Sequence, residues 1–254
     1  MKIVLLGSGN VATHLAQALV AKGEEIVQVY SQNLNHARSL TDLIGGEPIN
    51  VLTHVSGNAD LYVIAVKDDA IESIGHQLRS VNGLVLHTSG TTDISVLSSQ
   101  VKHAGVLYPV QTFSKTKGVS FDEIPLCIEA TDEIQLSILQ NLAAKLSTRV
   151  YHVEGNKRKA LHLAAVFACN FPNHLYALAN QFLKQHELDF EIIRPLIKET
   201  ADKVMTNLPE NVQTGPAVRA DETTLSKHFS MLNNMPELQN IYKNLSDSIK
   251  LMSK

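Results

Sequence analysis

Residues 3–12 read IVLLGSGNVA, and this stretch decides the fold. Its apolar run predicts a buried strand, and the GxGxxA pattern that follows opens a helix. Gly7 permits a tight turn, Gly9 leaves space for a pyrophosphate against the backbone, and Ala12 lets helix and strand pack closely. This context disfavours the alternative, a glycine-rich turn without a ligand. The predicted phosphate-binding loop consists of Gly7, Ser8, Gly9, Asn10, Val11 and Ala12.

Outward from this loop, short apolar runs alternate with helical periods as far as residue 153. Strands are predicted at 3–7, 26–30, 61–66, 84–88, 105–109, 125–130 and 148–153. Helices are predicted at 33–43, 69–79 and 134–146, with a long loop at 110–124. Continuous apolar strands between helices indicate an α/β fold, a Rossmann-type and mostly parallel sheet domain spanning residues 1–153.

The pattern changes after Gly155, because the chain from 156 onward contains no convincing strand. Helices are predicted at 157–186, with a bend at Pro172, and at 190–206, 223–233 and 236–252. We therefore expect an all-α C-terminal domain over residues 154–254, which binds the substrate and forms the dimer interface.

Composition excludes several classes of function. The 254 residues include 22 Lys and Arg against 25 Asp and Glu, a net charge of −3, which disfavours nucleic-acid binding. No apolar run is long enough for a membrane span or a signal peptide, so we expect a cytoplasmic protein. Cys127 and Cys169 lie far apart, and no histidine spacing suits a metal, so neither a disulfide nor a metal site is expected.

The end of the second strand bears on which dinucleotide binds. An NAD site usually places a carboxylate here for the ribose 2′-hydroxyl, and residues 31–38 contain none. Ser31 and Asn33 can donate to a 2′-phosphate, and Arg38 adds positive charge, so NADP is favoured over NAD. The alternative is that Ser31 and Asn33 cap the next helix and that Arg38 is a solvated helix residue.

Four further stretches carry a family resemblance: AVKDDAI at 65–71, HTSG at 87–90, YPVQTFS at 108–114 and TGPAVRAD at 214–221. The first two, with the N-terminal loop and the predicted helical C-terminal domain, resemble the superfamily of 6-phosphogluconate and β-hydroxyacid dehydrogenases, pyrroline-carboxylate reductase and deazaflavin-dependent NADP oxidoreductases. More narrowly, YPVQTFS and TGPAVRAD resemble bacterial Rossmann proteins with a C-terminal helical domain of unknown function, which are usually named as NADP oxidoreductases, and this resemblance spans nearly the whole chain.

This resemblance implies that Ala65 and Val66 contact the cofactor. Two positions depart from the narrow family. That family often has Arg at the position of Gln32, and it often has Gly at the position of Ala220.

The HTSG stretch lies at the carboxyl end of a predicted parallel strand, where open α/β sheets bind ligands. The related Ser-Gly loop of β-hydroxyacid dehydrogenases implies that Ser89 and the Gly90 amide hold a substrate carboxylate, with His87 beside them. A capped strand-to-loop turn is the alternative.

Lys159 and His162 are the candidate catalytic residues. They lie three positions apart after Gly155 and therefore share a helix face. Dehydrogenases of the resembled superfamily place a catalytic Lys after such a Gly, followed three residues later by Asn. Lys159 matches that Lys, and His162 replaces the Asn. The alternative is a solvated basic first turn formed by residues 157–159.

Three other polar residues are candidates for substrate contact. Gln111, beside Tyr108, is predicted to contact nicotinamide or substrate, and Asn170 to line a cleft. Arg219 is predicted to bind an anionic group, with Asp221 orienting it. The alternatives are a satisfied core residue at Asn170 and a helix cap at Asp221.

Together these features favour an NADP-dependent oxidoreductase. It would move hydride between nicotinamide and a carbonyl or imine carbon of a small anionic metabolite, with Lys159 or His162 handling the proton. The alternative is a non-catalytic NADP-binding regulator or scaffold. A homodimer formed mainly through 156–206 is expected, because related dehydrogenases dimerise there and short helices expose apolar faces.

Overall fold

The computed structural model describes residues 1–114 and 118–252 of the chain. They form two compact units, Met1–Asn170 and Phe171–Lys254. The first unit therefore includes residues 154–170, which the sequence places with the C-terminal helices. No helix in the described ranges combines the length and the apolar composition needed to cross a bilayer.

A single eight-stranded sheet forms the centre of the first unit. Its strands are β1 (Lys2–Leu6), β2 (Glu25–Tyr30), β3 (Glu47–Ile49), β4 (Leu61–Ile64), β5 (Leu84–His87), β6 (Ala104–Pro109), β7 (Leu126–Ala130) and β8 (Val150–His152). Their spatial order is β3-β2-β1-β4-β5-β6-β7-β8. Among the described strands only β6 and β7 pair antiparallel, so the predicted Rossmann-type, mostly parallel sheet is confirmed.

Among its described residues the first unit contains six α-helices, which are α1 (Asn10–Ala21), α2 (Leu34–Ile44), α3 (Asp68–Gln77), α4 (Ser95–Ser98), α5 (Glu133–Leu146) and α6 (Gly155–Ala165), besides a 3₁₀ turn at Leu52–His54 and a π-helical segment at its end. Apolar side chains of α1, α2 and α5 join Ile3 and Leu5 in one core. Those of α3 and α4 join Val4 and Leu6 in a second core. Because successive strand residues face opposite sides, the two cores cover the two faces of the sheet.

Among its described residues the second unit contains helices, turns and loops and no strand, which agrees with the predicted all-α region. Its helices are α7 (Phe171–Gln185), α8 (Arg194–Thr206), α9 (Glu222–Met231) and α10 (Pro236–Met252), with 3₁₀ turns at Phe190–Ile193 and Pro209–Asn211. The long helix predicted at 157–186 is interrupted by a π-helical segment, Val166–Asn170. Pro172 stands two residues after the end of this segment and has no N–H for the regular helical ladder, which accounts for an irregularity at this point.

Candidate dinucleotide and active site

A cavity of about 1140 Å³ opens at the carboxyl ends of the parallel strands. Its lining includes residues 7–11, 30–33, 65–70 and 88–90, together with His36, Tyr108, Gln111, Phe113 and His162. All of these belong to the first unit. The order of the strands reverses between β1 and β4, and this is where doubly wound sheets bind their ligands.

The glycines of the first turn build one wall of this cavity. Gly7 has φ +131°, and a Cβ there would lie 2.1 Å from the Ala65 carbonyl oxygen, so only glycine fits. A Cβ on Gly9 would meet no atom within 4 Å, so the space beside it is open to a ligand. Gly9 also precedes α1 without any side-chain cap, which leaves the first N–H groups of the helix for an anion. Ala12 is fully buried in the core, where it permits the predicted close packing.

Asn10 and His14 of α1 fix the loop that follows β6. The Asn10 amide donates to the Phe113 carbonyl oxygen at 2.9 Å, and His14 Nε2 lies 2.8 Å from the Ser114 carbonyl oxygen. The rings of His14 and Phe113 stack with centroids 5.3 Å apart. The loop therefore holds Gln111 and Phe113 in the cavity lining, the first of which the sequence predicts as a ligand contact.

The end of β2 carries hydroxyl and amide groups. Ser8 Oγ donates to Ser31 Oγ at 3.0 Å, which ties the glycine turn to this strand end. Asn33 caps α2, because its Oδ1 accepts from the Asn35 N–H at 3.0 Å. The cap occupies the amide oxygen and leaves the Asn33 NH₂ as a donor, so capping and ligand contact are compatible.

The predicted cation of this strand end, Arg38, is exposed and is not among the described residues that line the cavity. Gln32 and His36 do line it. His36 follows the cap by three residues and so lies in the first turn of α2. The sequence offered this signal, a histidine at the helix N-terminus, and we did not predict a role for it.

Tyr108 and His162 also line the cavity, where their side chains contact each other. The Tyr108 hydroxyl lies 3.0 Å from His162 Nδ1, and the rings contact edge to face. A Cβ on Gly90 would lie 2.7 Å from His162 Nδ1 and 2.9 Å from Tyr108 Cζ, so this close approach requires glycine. Burial raises the pKa of Tyr108 above its ordinary value. Its hydroxyl therefore stays protonated at neutral pH and can donate a proton.

The turn after β5 is built around His87, which the structure buries completely and does not bring into the described cavity lining. Its Nδ1 accepts from the Ser89 N–H at 3.2 Å. Burial and then the Arg158 charge lower the pKa of His87 to about 4, so the ring is neutral and can accept this bond. His87 thus shapes the turn, whereas Ser89 and Gly90 line the cavity as predicted for substrate contact.

The basic side chains in the first turn of α6 lie in different environments. Arg158 is fully buried, where it pairs with Glu129 and donates from Nη2 to the Thr92 carbonyl oxygen at 2.6 Å. Lys159 is outside the described cavity lining, and its ammonium lies 3.2 Å from the Asp93 carboxylate with 41% of the side chain exposed. Of the two predicted proton donors, therefore, the structure brings only His162 into the cavity. No local feature of residues 157–159 indicates that Arg158 is the buried member of the run.

Two further predicted substrate contacts are exposed side chains. Asn170 is exposed in the π-helical segment, and Arg219 is exposed in the second unit. Asp221 caps α9, since its carboxylate accepts from the Thr224 N–H at 3.0 Å, which is the alternative that the sequence left open. Substrate contact by Asn170 and Arg219 stays a prediction.

The cavity fits a nicotinamide dinucleotide. Its volume exceeds the ~300–1,000 Å³ of ordinary small-molecule sites. The cavity offers uncapped helix N–H groups beside the open space at Gly9, and it also offers the Tyr108 hydroxyl.

Two family models match the chain. Residues 2–87 match the model described as NADP oxidoreductase coenzyme F420-dependent, and residues 124–249 match a domain of unknown function, DUF2520. No protein of curated function matches in sequence.

Solved structures match over the full length. A "putative NADP oxidoreductase" from Bacteroides fragilis shares 44% identity over 98% of this chain and 97% of its own, with a TM-score of 0.93. An imine reductase from Myxococcus stipitatus in complex with NADP⁺ shares the fold at 15% identity, covering 98% and 92% of the two chains with a TM-score of 0.65. A pyrroline-5-carboxylate reductase from Coxiella burnetii does so at 16% identity, covering 99% and 98% with a TM-score of 0.59. The chain therefore belongs to the NADP oxidoreductase family that joins this N-terminal domain to a C-terminal DUF2520 domain.

Proposed function

We propose that the protein is an NADP-dependent oxidoreductase that moves hydride between nicotinamide and the carbon of a C=N or C=O bond in a small metabolite. The observation that carries this proposal is the Tyr108–His162 pair. It lines the same cavity as the glycine turn, so a proton source and a dinucleotide cradle share one space. The imine and pyrroline-carboxylate reductases among the similar folds support a C=N substrate.

The proposed cofactor is NADP rather than NAD. The strand end at residues 31–33 and the neighbouring His36 line the cavity with hydroxyl, amide and imidazole groups. None of residues 31–38 is a carboxylate that would bond a ribose 2′-hydroxyl and repel a 2′-phosphate.

The proposed proton step uses the hydrogen bond between Tyr108 and His162. NADPH held at the glycine turn would supply the hydride that the substrate carbon takes up. The Tyr108 hydroxyl would give its proton to the substrate nitrogen or oxygen, and His162 Nδ1 would return a proton to the tyrosine oxygen. Solvent would then reprotonate the imidazole of His162, which is partly exposed. Oxidation runs the same transfers in reverse. A positioned acid of this kind contributes about 10²–10⁴-fold to the rate.

The test is NADPH oxidation in the presence of cyclic imines and 2-oxo acids, including 1-pyrroline, pyrroline-5-carboxylate and pyruvate. The wild type should oxidise NADPH with at least one of them. Tyr108→Phe and His162→Asn should each lower turnover by about 10²–10⁴-fold while NADPH still binds. Lys157→Met, which changes an exposed residue of the same helix turn, is the control.

Two results would redirect this assignment. NADPH binding without turnover of any of these compounds would favour the non-catalytic NADP-binding protein. Loss of turnover in Lys159→Ala, with His162→Asn unaffected, would move the proton step to Lys159.

We also propose that the protein forms a homodimer. In the second unit, Ala217, Leu225 and Leu232 are the buried apolar side chains among its described residues. Ile192, Leu196 and Met205 are 64–80% exposed. A helical unit with this little core needs a partner for its apolar faces, and a second copy supplies matching ones.

A further inference from the structure

Arg158 is the largest side chain that the first unit buries completely. Its guanidinium is shared between two acceptors, the Glu129 carboxylate and the Thr92 carbonyl oxygen. A buried guanidinium is unfavourable unless its charge is paired and its N–H groups are bonded. The two contacts therefore fix where the side chain can lie.

Arg158, Thr92 and Glu129 lie on the three segments that also carry the residues of the proposed proton site. Arg158 precedes His162 by four residues and so shares its face of α6. Thr92 follows Gly90 by two residues in the turn after β5. Glu129 stands opposite Val106 in the antiparallel ladder in which Tyr108 stands opposite Cys127. The Arg158 guanidinium thus connects α6, which contains His162, to the turn that contains Gly90 and to β7, which pairs with the strand of Tyr108.

The close contact among His162, Gly90 and Tyr108 leaves little room for α6 to move. His162 Nδ1 and Tyr108 Cζ already lie within 3 Å of the position that a Gly90 Cβ would take. A small shift of α6 toward the turn would produce a clash, and a shift away would break the 3.0 Å contact between Tyr108 and His162. The planar fork of arginine suits this task, because two acceptors are held in fixed directions, whereas a lysine ammonium has no such fork.

We propose that Arg158 is a positioning residue, which holds α6 against the turn after β5 and against β7 so that His162 meets the Tyr108 hydroxyl. The catalytic part of this role rests on the proposed function, whereas the placement of His162 can be measured without turnover. Arg158 itself does not belong to the described lining of the cavity, and it acts through His162.

The experiment uses the full-length protein labelled with ¹⁵N-histidine. Arg158→Lys keeps the charge and loses the fork. The double variant Glu129→Gln, Arg158→Met removes both charges, which avoids a buried charge without a partner if the single variant does not fold. Lys157→Met is the matched control on the exposed side of the same turn. Tyr108→Phe supplies the reference spectrum of His162 without its hydroxyl partner.

Long-range ¹H–¹⁵N spectra report on the ring nitrogens of His162. We expect the His162 signals of Arg158→Lys and of the double variant to move to their positions in Tyr108→Phe, and those of Lys157→Met to stay at the wild-type positions. With 1-pyrroline as the probe substrate, kcat should fall about 10²-fold, the effect of a displacement of about 1 Å, with an unchanged dissociation constant for NADPH.

Wild-type His162 signals in a folded double variant would overturn the positioning role, even if turnover falls. Loss of the wild-type circular dichroism in both variants would also overturn it, because Arg158 would then be needed for the fold as a whole. A wild type that binds no NADPH would instead overturn the proposed function, and the spectra would still decide whether Arg158 places His162.

Discussion

His36 and Arg38 stand two positions apart on α2, yet only His36 belongs to the described lining of the cavity. If His36 contacts the 2′-phosphate, His36→Ala should weaken NADPH binding about tenfold, the size of one hydrogen bond to a charged group, and leave NADH binding unchanged. Titrations that follow nicotinamide fluorescence measure both constants. Arg38→Ala is the control and should bind both nucleotides as the wild type does. If only Arg38→Ala weakens NADPH binding, the contact with the 2′-phosphate belongs to Arg38 instead.

His87 makes the stability of the protein depend on pH. Burial, followed by the Arg158 charge, lowers the pKa of His87 to about 4 in the folded protein, whereas an unfolded histidine titrates near 6.5. The unfolded chain therefore takes up a proton that the folded chain refuses, and this contribution to stability is complete above about pH 6.5 and is lost as the pH falls toward 4. Between about pH 7.5 and about pH 5 the free energy of unfolding should decrease by about 2 kcal/mol through this residue.

Urea unfolding at the two pH values, on the wild type and on His87→Asn, tests this expectation. The variant has no titrating group at position 87, so its stability should change less with pH by that amount. Parallel pH dependences in the two proteins would show that the folded state does not lower the pKa of His87.

The same residues show where prediction from sequence stopped. Ser89, Gly90, Gln111 and the glycine turn could be placed at the cavity, because each follows directly on the carboxyl end of a strand. The basic run on α6 could not be divided into buried and exposed members. Arg158 is buried by its pairing with Glu129, 29 residues away in the chain, and helical spacing carries no information about that contact.

At the scale of elements, the loop before α9 contains a residue in an unfavourable conformation. Ala220 has φ +51°, in the left-handed region, and the resembled family often has glycine there. The strain of a non-glycine residue in this region is about 1–2 kcal/mol. Ala220→Gly should therefore stabilise the protein by about 0.5–1 kcal/mol, after the greater freedom of glycine in the unfolded chain is subtracted.

Denaturant unfolding measures this difference. Ala217→Gly serves as the control, because Ala217 is buried and has no positive φ, so the same change should destabilise the protein there. A loss of stability in Ala220→Gly as large as that in Ala217→Gly would refute the strain.

Strands with a clear apolar pattern could be predicted from the sequence, and strands without one could not. The neighbouring strands β1 and β4 are continuous apolar runs, and the structure has strands where these runs predict them. β3 is three residues long and contains Pro48, so it has no strand pattern and was not predicted. The antiparallel pairing of β7 with β6 was not predicted either, because an apolar run does not specify its direction.

At the scale of the whole molecule, the exposed apolar side chains of the second unit predict self-association. Static light scattering at micromolar concentration should give twice the 27.8 kDa mass of the chain. Ile192→Asp with Leu196→Asp places charges on two strongly exposed apolar positions within 156–206 and should give the monomer mass. Lys198→Asp, an exposed polar change on the same helix, should leave the mass of the wild type. A monomeric wild type would contradict the homodimer.

The central claim for the molecule is that NADPH binds in the cavity beside Gly9. The most direct test is a fluorescence titration of NADPH into the wild type and Gly9→Val. Gly9 has φ −77°, and a side chain there meets no protein atom within 4 Å, so the variant should fold and fill the space that the pyrophosphate needs. Gly57→Val, another site with open space around the Cβ, is the control. We predict saturable binding by the wild type and the control and none by folded Gly9→Val, whereas equal binding by all three, or by none, would contradict the account.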